Sequence, residues 1–438
     1  MKPFHLFWFL AGYQPRGWLD PRWGNNYDFR GPELYMDAAR TLERGCFDGI
    51  VIADQPSIDT TYTGSTEAAL RSGYEGLCGD PLVPMAMMGA VTQHLGVAAT
   101  MTTTFHPPFL LARQLNALDH MTRGRAGWNV VTSTRKTDGD NFGVPLPEHD
   151  LRYDMADEYI ELCHALWRSW EPDAVLLDRE KGQFADPAKV HEVNFKGKWY
   201  QSRGPLPMCT SPQVSPLIFQ AGGSGRGREF AARHAECILS NQNSTKGMKE
   251  YVDDVKKRAQ QYPRKHPPRV LFSIQPIVGD TPEAAREKER AHLALARTDA
   301  YIHGGLAFGS MSLGYDFSKF EMDVPIAQQL EKHGARFTSM PSILFQYFKD
   351  RPDTTPRDIG LREALKVTIP IVGTAEQVAE RMCEIVDETG ADGFMIREAL
   401  LPSYLLDFVD RIVPALQRRG AFRKEYSGKT LRENVFEY

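Results

Sequence analysis

Residues 31–54 read GPELYMDAARTLERGCFDGIVIAD, and the pattern of this stretch decides the fold. Its first part, Gly31–Arg44, sets Leu34, Ala38, Ala39 and Leu42 at helical spacing and stops at Gly45. Its second part, Phe47–Ala53, is a short and almost continuous apolar run, as expected of a strand covered on both faces. The run ends at Asp54, which puts a carboxylate at the carboxyl end of a buried strand. Helix, turn and buried strand together make the repeating unit of a parallel α/β fold.

Working outward, similar runs occur at Phe4–Phe9, Gly96–Thr103, Arg125–Thr132, Pro216–Ala221, Glu236–Ser240, Val270–Val278 and Asp392–Arg397. Helical patterns lie between them, at Phe109–Thr122 and Leu151–Trp170 among others, and Thr374-x-x-Gln377 is a capping box for a helix running to Gly390. Eight alternations favour a closed (β/α)8 barrel, the TIM barrel, over a sandwich or bundle. The count alone leaves an open doubly wound sheet as the alternative. Without repeats, low-complexity tracts or linkers, residues 1–438 read as a single domain with insertions near 55–80, 171–215 and 298–365. The first insertion follows the carboxyl end of a strand, the face where barrel active sites are built. The other two follow helical patterns, so the sequence does not fix their face. Long connections of this kind are commonly lids or binding loops.

A barrel with insertions accommodates 438 residues, and 42% apolar with 25% charged residues suits a large core. A net charge of −4 gives no electrostatic case for nucleic acid. The six cysteines form no C-x-x-C pair, which disfavours a disulfide framework or zinc knuckle and fits reduced thiols in the cytoplasm. The opening MKPFHLFWFLAG reads as a buried strand, not a signal, and no run reaches the roughly 18 apolar residues of a spanning helix. No membrane partner is expected.

Several residues could carry chemistry. Asp54 would accept hydrogen bonds from a ligand at the barrel mouth, or serve as a turn aspartate. In Ala98–Thr104, Thr100 and Thr102 share one strand face, with Met101 and Thr103 on the other. Their hydroxyls would meet a ligand edge, or simply belong to a β-branched strand. Residues 220–227, QAGGSGRG, lead from a strand into a helix, where glycines let N–H groups converge on a phosphate, or simply form a flexible turn. Ser224 adds a hydroxyl and Arg226 a charge. The stretch is neither G-x-G-x-x-G nor G-x-S-x-G. In residues 148–154, EHDLRYD, His149 and Tyr153 lie four apart and face the same way in a helix, or form an acidic cap with a surface histidine. No HExxH or EF-hand occurs, so no metal site is expected. His94 and His120 read as polar helix positions.

Five stretches together closely resemble one family: ARTLERGCFDGIVIAD, LNALDHMTRGRAGWNVVTS, EHDLRYDMADEYIELCHALW with the preceding NFG, FADPAKVHEV, and SPQVSPLIFQAGGSGRGREFAARHAE. The family is the nitrilotriacetate/dibenzothiophene-sulfone monooxygenase branch of the bacterial luciferase superfamily, which long-chain alkane and dimethyl sulfide monooxygenases also resemble. The resemblance implies a TIM barrel that takes reduced FMN from a separate NAD(P)H:FMN reductase and oxidises a small organic substrate with O2. It implies a flavin site at Asp54, Thr100, His149 and Tyr153, with Gly223, Ser224 and Gly225 at the phosphate and Asn129 beneath the ring. An unusual peptide at Ala99–Thr100 and a homodimer or homotetramer are implied too. Luciferases proper carry a histidine where this chain reads Asp54-Gln55-Pro56, so that residue does not transfer; His106 and His303 are the candidates for proton transfer.

Trp8, Phe105, Phe109 and Phe308 are candidates for an apolar wall, or are core aromatics of the barrel, with residues 298–365 as a lid. Arg16 and Arg22 would suit a carboxylated substrate, or are solvated surface arginines. Aminopolycarboxylate, organosulfur and hydrocarbon substrates all fit. Two other readings are a phosphate-binding barrel isomerase or hydrolase, and a non-catalytic flavin-binding barrel.

Overall fold

Eight parallel strands close on themselves: β1 His5–Leu10, β2 Gly49–Ile52, β3 Gly96–Thr102, β4 Ala126–Val131, β5 Leu217–Gln220, β6 Cys237–Ser240, β7 Arg269–Ile274 and β8 Gly393–Arg397. The computed structural model describes residues 2–10, 18–19, 27–74, 76–337, 340–365, 368–397 and 401–438. Every strand pairs with its sequence neighbours in the barrel, and β8 closes on β1 with His5 opposite Gly393. Around them lie α1 Pro32–Arg44, α2 Leu82–Ala90, α3 Pro108–Met121, α4 His149–Trp167, α5 Gly225–His234, α6 Thr245–Ala259 and α7 Ala375–Thr389. The last helix, α8, consists of the consecutive segments Leu401–Asp407, Phe408–Ile412 and Val413–Arg418. All eight apolar runs become barrel strands, and the open-sheet alternative falls.

Strand alternation sorts the core into two layers. Phe7, Val51, Ala98, Phe219, Leu271 and Met395 fill the interior, with Phe7 edge-on to Phe219 at 5.2 Å. Gly127 is required there, because a Cβ would lie 2.7 Å from the Phe219 ring and 2.8 Å from Ala98. Leu6 and Trp8 point outward into the helix layer, where Trp8 packs against Phe47, Tyr404 and Phe408. Trp8 is therefore a packing residue and not part of an active-site wall. His94 also departs from expectation: it sits in the turn before β3, not in a helix, and stacks on Tyr426 at 4.8 Å.

The amino end of the barrel is plugged by the C-terminal helix Leu431–Val435. Leu431 fills the space beside Gly96, where a Cβ would come within 2.4 Å of its Cδ1. Above the plug, Asp48 is fully buried between Arg423 Nη2 at 2.6 Å and His5 Nδ1 at 2.8 Å.

The long stretches fold differently from one another. Residues 171–215 form two short hairpins, Val175–Asp178 with Gln183–Ala185 and Phe195–Lys196 with Gln201–Ser202. The Glu158 carboxylate on α4 fastens the second by accepting N–H bonds from Lys198, Trp199 and Tyr200 at 2.7–2.8 Å. Residues 298–365 form helices Asp299–Leu313, Ile326–His333, Ser342–Asp350 and Pro356–Leu365 rather than a loop. They share a separate core, to which Tyr62 of the 55–80 stretch contributes. A parallel ribbon, Ile277–Val278 with Val372–Gly373, roots this body beyond the carboxyl end of β7. It thus rises from the same face as Asp54.

Glycines set the helix crossing within that body. A Cβ on Gly305 would lie 2.0 Å from the Gly360 carbonyl oxygen. Gly305→Ala is expected to cost about 1–3 kcal/mol by forcing the two helices apart. Limited proteolysis should show earlier cleavage within 298–365 while the barrel fragment survives; unchanged protection would contradict the close crossing. Among the described residues no helix is long and apolar enough to cross a membrane, and all six cysteines are free thiols.

Candidate functional site

The carboxyl ends of β2 to β5 enclose a cavity of about 220 Å³. Asp54 follows β2, Thr100 and Thr102 come from β3, and Gln220 and Ala221 from the end of β5. Thr132–Arg135 and Asp138 follow β4, and Tyr153 enters from α4. The regular β3–β4 register sets Thr100 opposite Asn129, whose Nδ2 donates to Thr100 Oγ1 at 2.9 Å. The threonines occupy the face expected, with Met101 packed in the opposite, helix-facing layer.

After β4 the chain turns across the mouth through Ser133, whose φ of 54° is in the left-handed region. Such a conformation needs outside support in a residue with a Cβ. Arg152 supplies it by donating to the Thr132 carbonyl at 3.3 Å and to the Ser133 carbonyl, and Ser133 Oγ donates to Thr102 Oγ1 at 2.9 Å. Asp138 accepts a bond from Ser57 Oγ at 2.5 Å, which ties this turn to the loop after β2.

Tyr153 connects the cavity to a second feature. Its hydroxyl lies 2.9 Å from where a Cβ of Gly227 would stand, in the first turn of α5. Ser224 caps that helix, with Oγ accepting the Gly227 N–H at 3.0 Å. The loop before the helix is held from behind: Tyr251 Oη donates to the Gly222 carbonyl at 2.7 Å and Arg228 Nε to the Gly223 carbonyl at 3.2 Å. A side chain at Gly223 or Gly225 would meet nothing within 4 Å, so their surface is open. An uncovered helix N-terminus with free N–H groups favours an anion. His149 sits edge-on to the Tyr153 ring at 5.3 Å, with Nδ1 at 2.6 Å from Asp150.

Charge in the cavity is unbalanced. Burial, and then Asp80 and Asp138, push the Asp54 carboxyl up to about 6. Burial raises Asp138 as well, against the bond from Ser57.

The structure thus gathers Asp54, Thr100, Asn129, Tyr153, His149 and the Gly223–Gly225 turn at one rim. It does not bring the two catalytic candidates into the cavity lining. His106 Nδ1 donates to the Thr102 carbonyl at 3.0 Å, and His303 Nδ1 pairs with Tyr62 Oη at 2.9 Å where the inserted helices meet the 55–80 stretch. The aromatic-wall candidates also lie elsewhere. Phe105 stacks on Phe142 at 5.1 Å, Phe308 packs edge-on to Tyr74, and Phe109 is on the exposed face of α3. Arg226 does not offer its charge to the turn, because it donates to Asp154 and Asp157 at 2.9 and 2.6 Å. The Ala99–Thr100 peptide is an ordinary trans link within a regular strand; the one cis peptide among the described residues is Gly204–Pro205. Arg16 and Arg22 lie outside the described residues. Arg135, Asp138 and Arg152 went unassigned from the sequence, although a polar run after a barrel strand, TSTRKTDGD, is a usable signal on this face.

The luciferase-like monooxygenase family matches residues 25–393. The chain belongs to that family. A long-chain alkane monooxygenase of Geobacillus thermodenitrificans is 38% identical over 96% of this chain and 90% of its own length. A dimethyl-sulfide monooxygenase of Hyphomicrobium sulfonivorans is 38% identical over 92% and 83%. Nitrilotriacetate monooxygenase component A of Aminobacter aminovorans is 35% identical over 97% and 94%, and its name designates one part of a multicomponent enzyme. The crystal structure of a long-chain alkane monooxygenase superposes with a TM-score of 0.87 at 36% identity, covering 100% of this chain and 96% of that one. A riboflavin lyase solved with modified FMN and riboflavin gives 0.86 at 28% identity, covering 100% and 96%. As a luciferase-like monooxygenase the chain is an oxidoreductase of a flavin-dependent family.

Proposed function

We propose that this chain is the oxygenating component of a two-component monooxygenase. It receives reduced FMN from a separate NAD(P)H:FMN reductase and uses O2 to oxidise a small organic substrate. The observation that carries this reading is the double position of Tyr153, which lines the cavity while its hydroxyl stands at the open N-terminus of α5. A molecule with a flat polar ring at one end and a phosphate at the other spans both places.

The residues fit such a group. Gln220 Oε1 and Asn129 Oδ1 are buried without hydrogen-bond partners, which is costly unless a ligand satisfies them. A cavity of about 220 Å³ holds only part of a cofactor, so the phosphate would lie outside it on the turn at Gly223, Ser224 and Gly225. Asp54, Thr100, Asn129 and Tyr153 would hold and orient the ring, with His149 steadying Tyr153. Bound reduced flavin would supply the electrons that activate oxygen. The protein's part is to hold it, set its orientation and exclude water. The inserted helices would serve the last purpose from beside the mouth, where Arg135 of the cavity lining donates to Met311 Sδ. His106 and His303 lie outside the cavity lining and take a proton role only if the mouth rearranges around substrate. The same reading has one domain over the whole chain, assembled as a homodimer or homotetramer in the cytoplasm.

Substrates of the hydrocarbon, organosulfur and aminopolycarboxylate types are the ones to test. With reduced FMN and 18O2, one labelled oxygen atom is expected in the product from one of these classes. Unlabelled product, or turnover of a phosphate ester without flavin and oxygen, would overturn the proposal.

Asp54 supplies a pH test. As an acceptor for a ring N–H it must be ionised, and its carboxyl is raised to about 6. FMN affinity is therefore expected to fall by up to about tenfold per pH unit below that value, since one proton is linked. Quenching of FMN fluorescence between about pH 5 and pH 8 would show it. Asp54→Asn should flatten the dependence; a slope that persists in the variant assigns the proton elsewhere.

A further inference from the structure

The end of the barrel opposite the flavin cavity holds a larger hollow of about 830 Å³. It lies at the amino ends of β5, β6 and β7, where α4 and α5 finish and the C-terminal helix begins. Arg168, Arg233, Arg264, Lys265 and Arg432 line it, with Glu236 and Glu433 as the lining carboxylates. Against a chain whose net charge is −4, this concentration of cations is local.

What matters is which charges already have partners. Arg432 grips Glu236 through Nε at 2.7 Å and Nη2 at 3.0 Å, and Arg233 reaches Glu161 at 2.9 Å. Glu433 is occupied in accepting the N–H groups of Lys429 and Thr430 at 2.8 and 2.9 Å. No lining carboxylate remains for the other three cations. Arg264 turns to the carbonyls that end α5, donating to Ala232 at 2.8 Å and to Ala235. Arg168 and Lys265 are exposed, and their side chains make no hydrogen bond or ion pair among the described residues. The helix ends contribute about half a negative charge each, and Arg264 already caps one of them. The hollow therefore stays positive.

His164 registers that field from within the lining. Its Nδ1 is buried without a partner, and its pKa is pushed down to about 4, first by burial and then by Arg168 and His234. Phe436, stacked with His266 at 4.6 Å, adds an aromatic surface. The volume falls within the range of roughly 300–1,000 Å³ usual for small-molecule sites.

We propose that this hollow is a second binding site, for a small polyanion carrying two or more negative charges on phosphate or carboxylate groups. Arg168 and Lys265 supply the uncompensated charge, and the site stands independently of the flavin assignment at the other end.

The test is calorimetric titration of the full chain with inorganic pyrophosphate and, separately, with citrate. Both are run in the Ser224→Ala background, which weakens any response of the turn before α5. One saturable site is expected for at least one anion, weakened about tenfold or more when Arg168→Ala and Lys265→Ala are combined, as loss of charge-assisted contacts requires. Affinity should also fall with added salt. Lys246→Ala, at an exposed position on α6, should leave it unchanged. Binding of pyrophosphate alone assigns the site to phosphorylated compounds, and of citrate alone to polycarboxylates. No saturable binding of either anion, or binding that the double variant leaves intact, overturns the proposal. Both substituted side chains are exposed, so the fold is expected to survive and a melting scan verifies it.

Discussion

Asp48→Asn is expected to destabilise the chain by about 3 kcal/mol, near the lower end of the range for breaking a buried ion pair. The substitution changes shape very little. It removes the charge from a group with no exposed surface that accepts Arg423 Nη2 at 2.6 Å, His5 Nδ1 at 2.8 Å and the Leu6 N–H at 2.8 Å. Arg423 is itself buried, and Glu437 at 3.2 Å from its Nε remains as a partial partner. That surviving contact is why the lower figure applies. Burial by itself would raise the Asp48 carboxyl, but Arg423 and then His5 hold it below the usual carboxylate range. A lowered folded-state pKa contributes stability that is complete above the unfolded value of about 3.9 and lost as pH falls through the folded value. Urea midpoints of parent and variant should therefore differ by a constant amount at neutral pH and converge in acid. A gap that does not narrow as pH falls below the unfolded value of about 3.9 would mean that the charge is not the cause.

Ser224→Ala is expected to weaken FMN binding by roughly ten- to hundredfold, the loss of one charge-assisted hydrogen bond to a phosphate. Riboflavin, which lacks the phosphate, should bind the variant and the parent alike. The comparison separates a ligand contact from a structural effect. Ser224 Oγ also caps α5 at Gly227, and losing a cap costs about 1 kcal/mol of stability whichever ligand is present. Fluorescence titration with both flavins reads the difference directly. Equal weakening of FMN and riboflavin would place the phosphate elsewhere.

These two residues illustrate what the sequence discloses. Ser224 was legible because its glycine neighbours lie between a strand and a helix, a setting in which backbone N–H groups serve anions. Asp54, Thr100 and Tyr153 were legible for a related reason, since strand ends and helical spacing place side chains by rule. Asp48 escaped notice because its partners, His5 and Arg423, are far away in sequence and no periodicity links them. Arg152 and Asp138 act on an irregular turn, where backbone direction follows no repeat. The helices of 298–365 were obscured by composition. HGGLAFGSMSLG reads as a loop because glycine is a weak helix former, yet Gly304 and Gly305 are where that helix meets Ser72, Tyr74 and Gly360 at close range. Trp8 failed for another reason: a strand apolar on both faces does not say which side chains point inward.

The claim on which the functional reading depends is that Asp54, Thr100, Tyr153 and the turn at Ser224 form one site for a flavin nucleotide. Anaerobic calorimetric titration with reduced FMN tests it most directly, using reduced riboflavin for comparison. Saturable binding of one FMN per chain, with riboflavin distinctly weaker, is the predicted result. No saturable heat with either reduced flavin would contradict it.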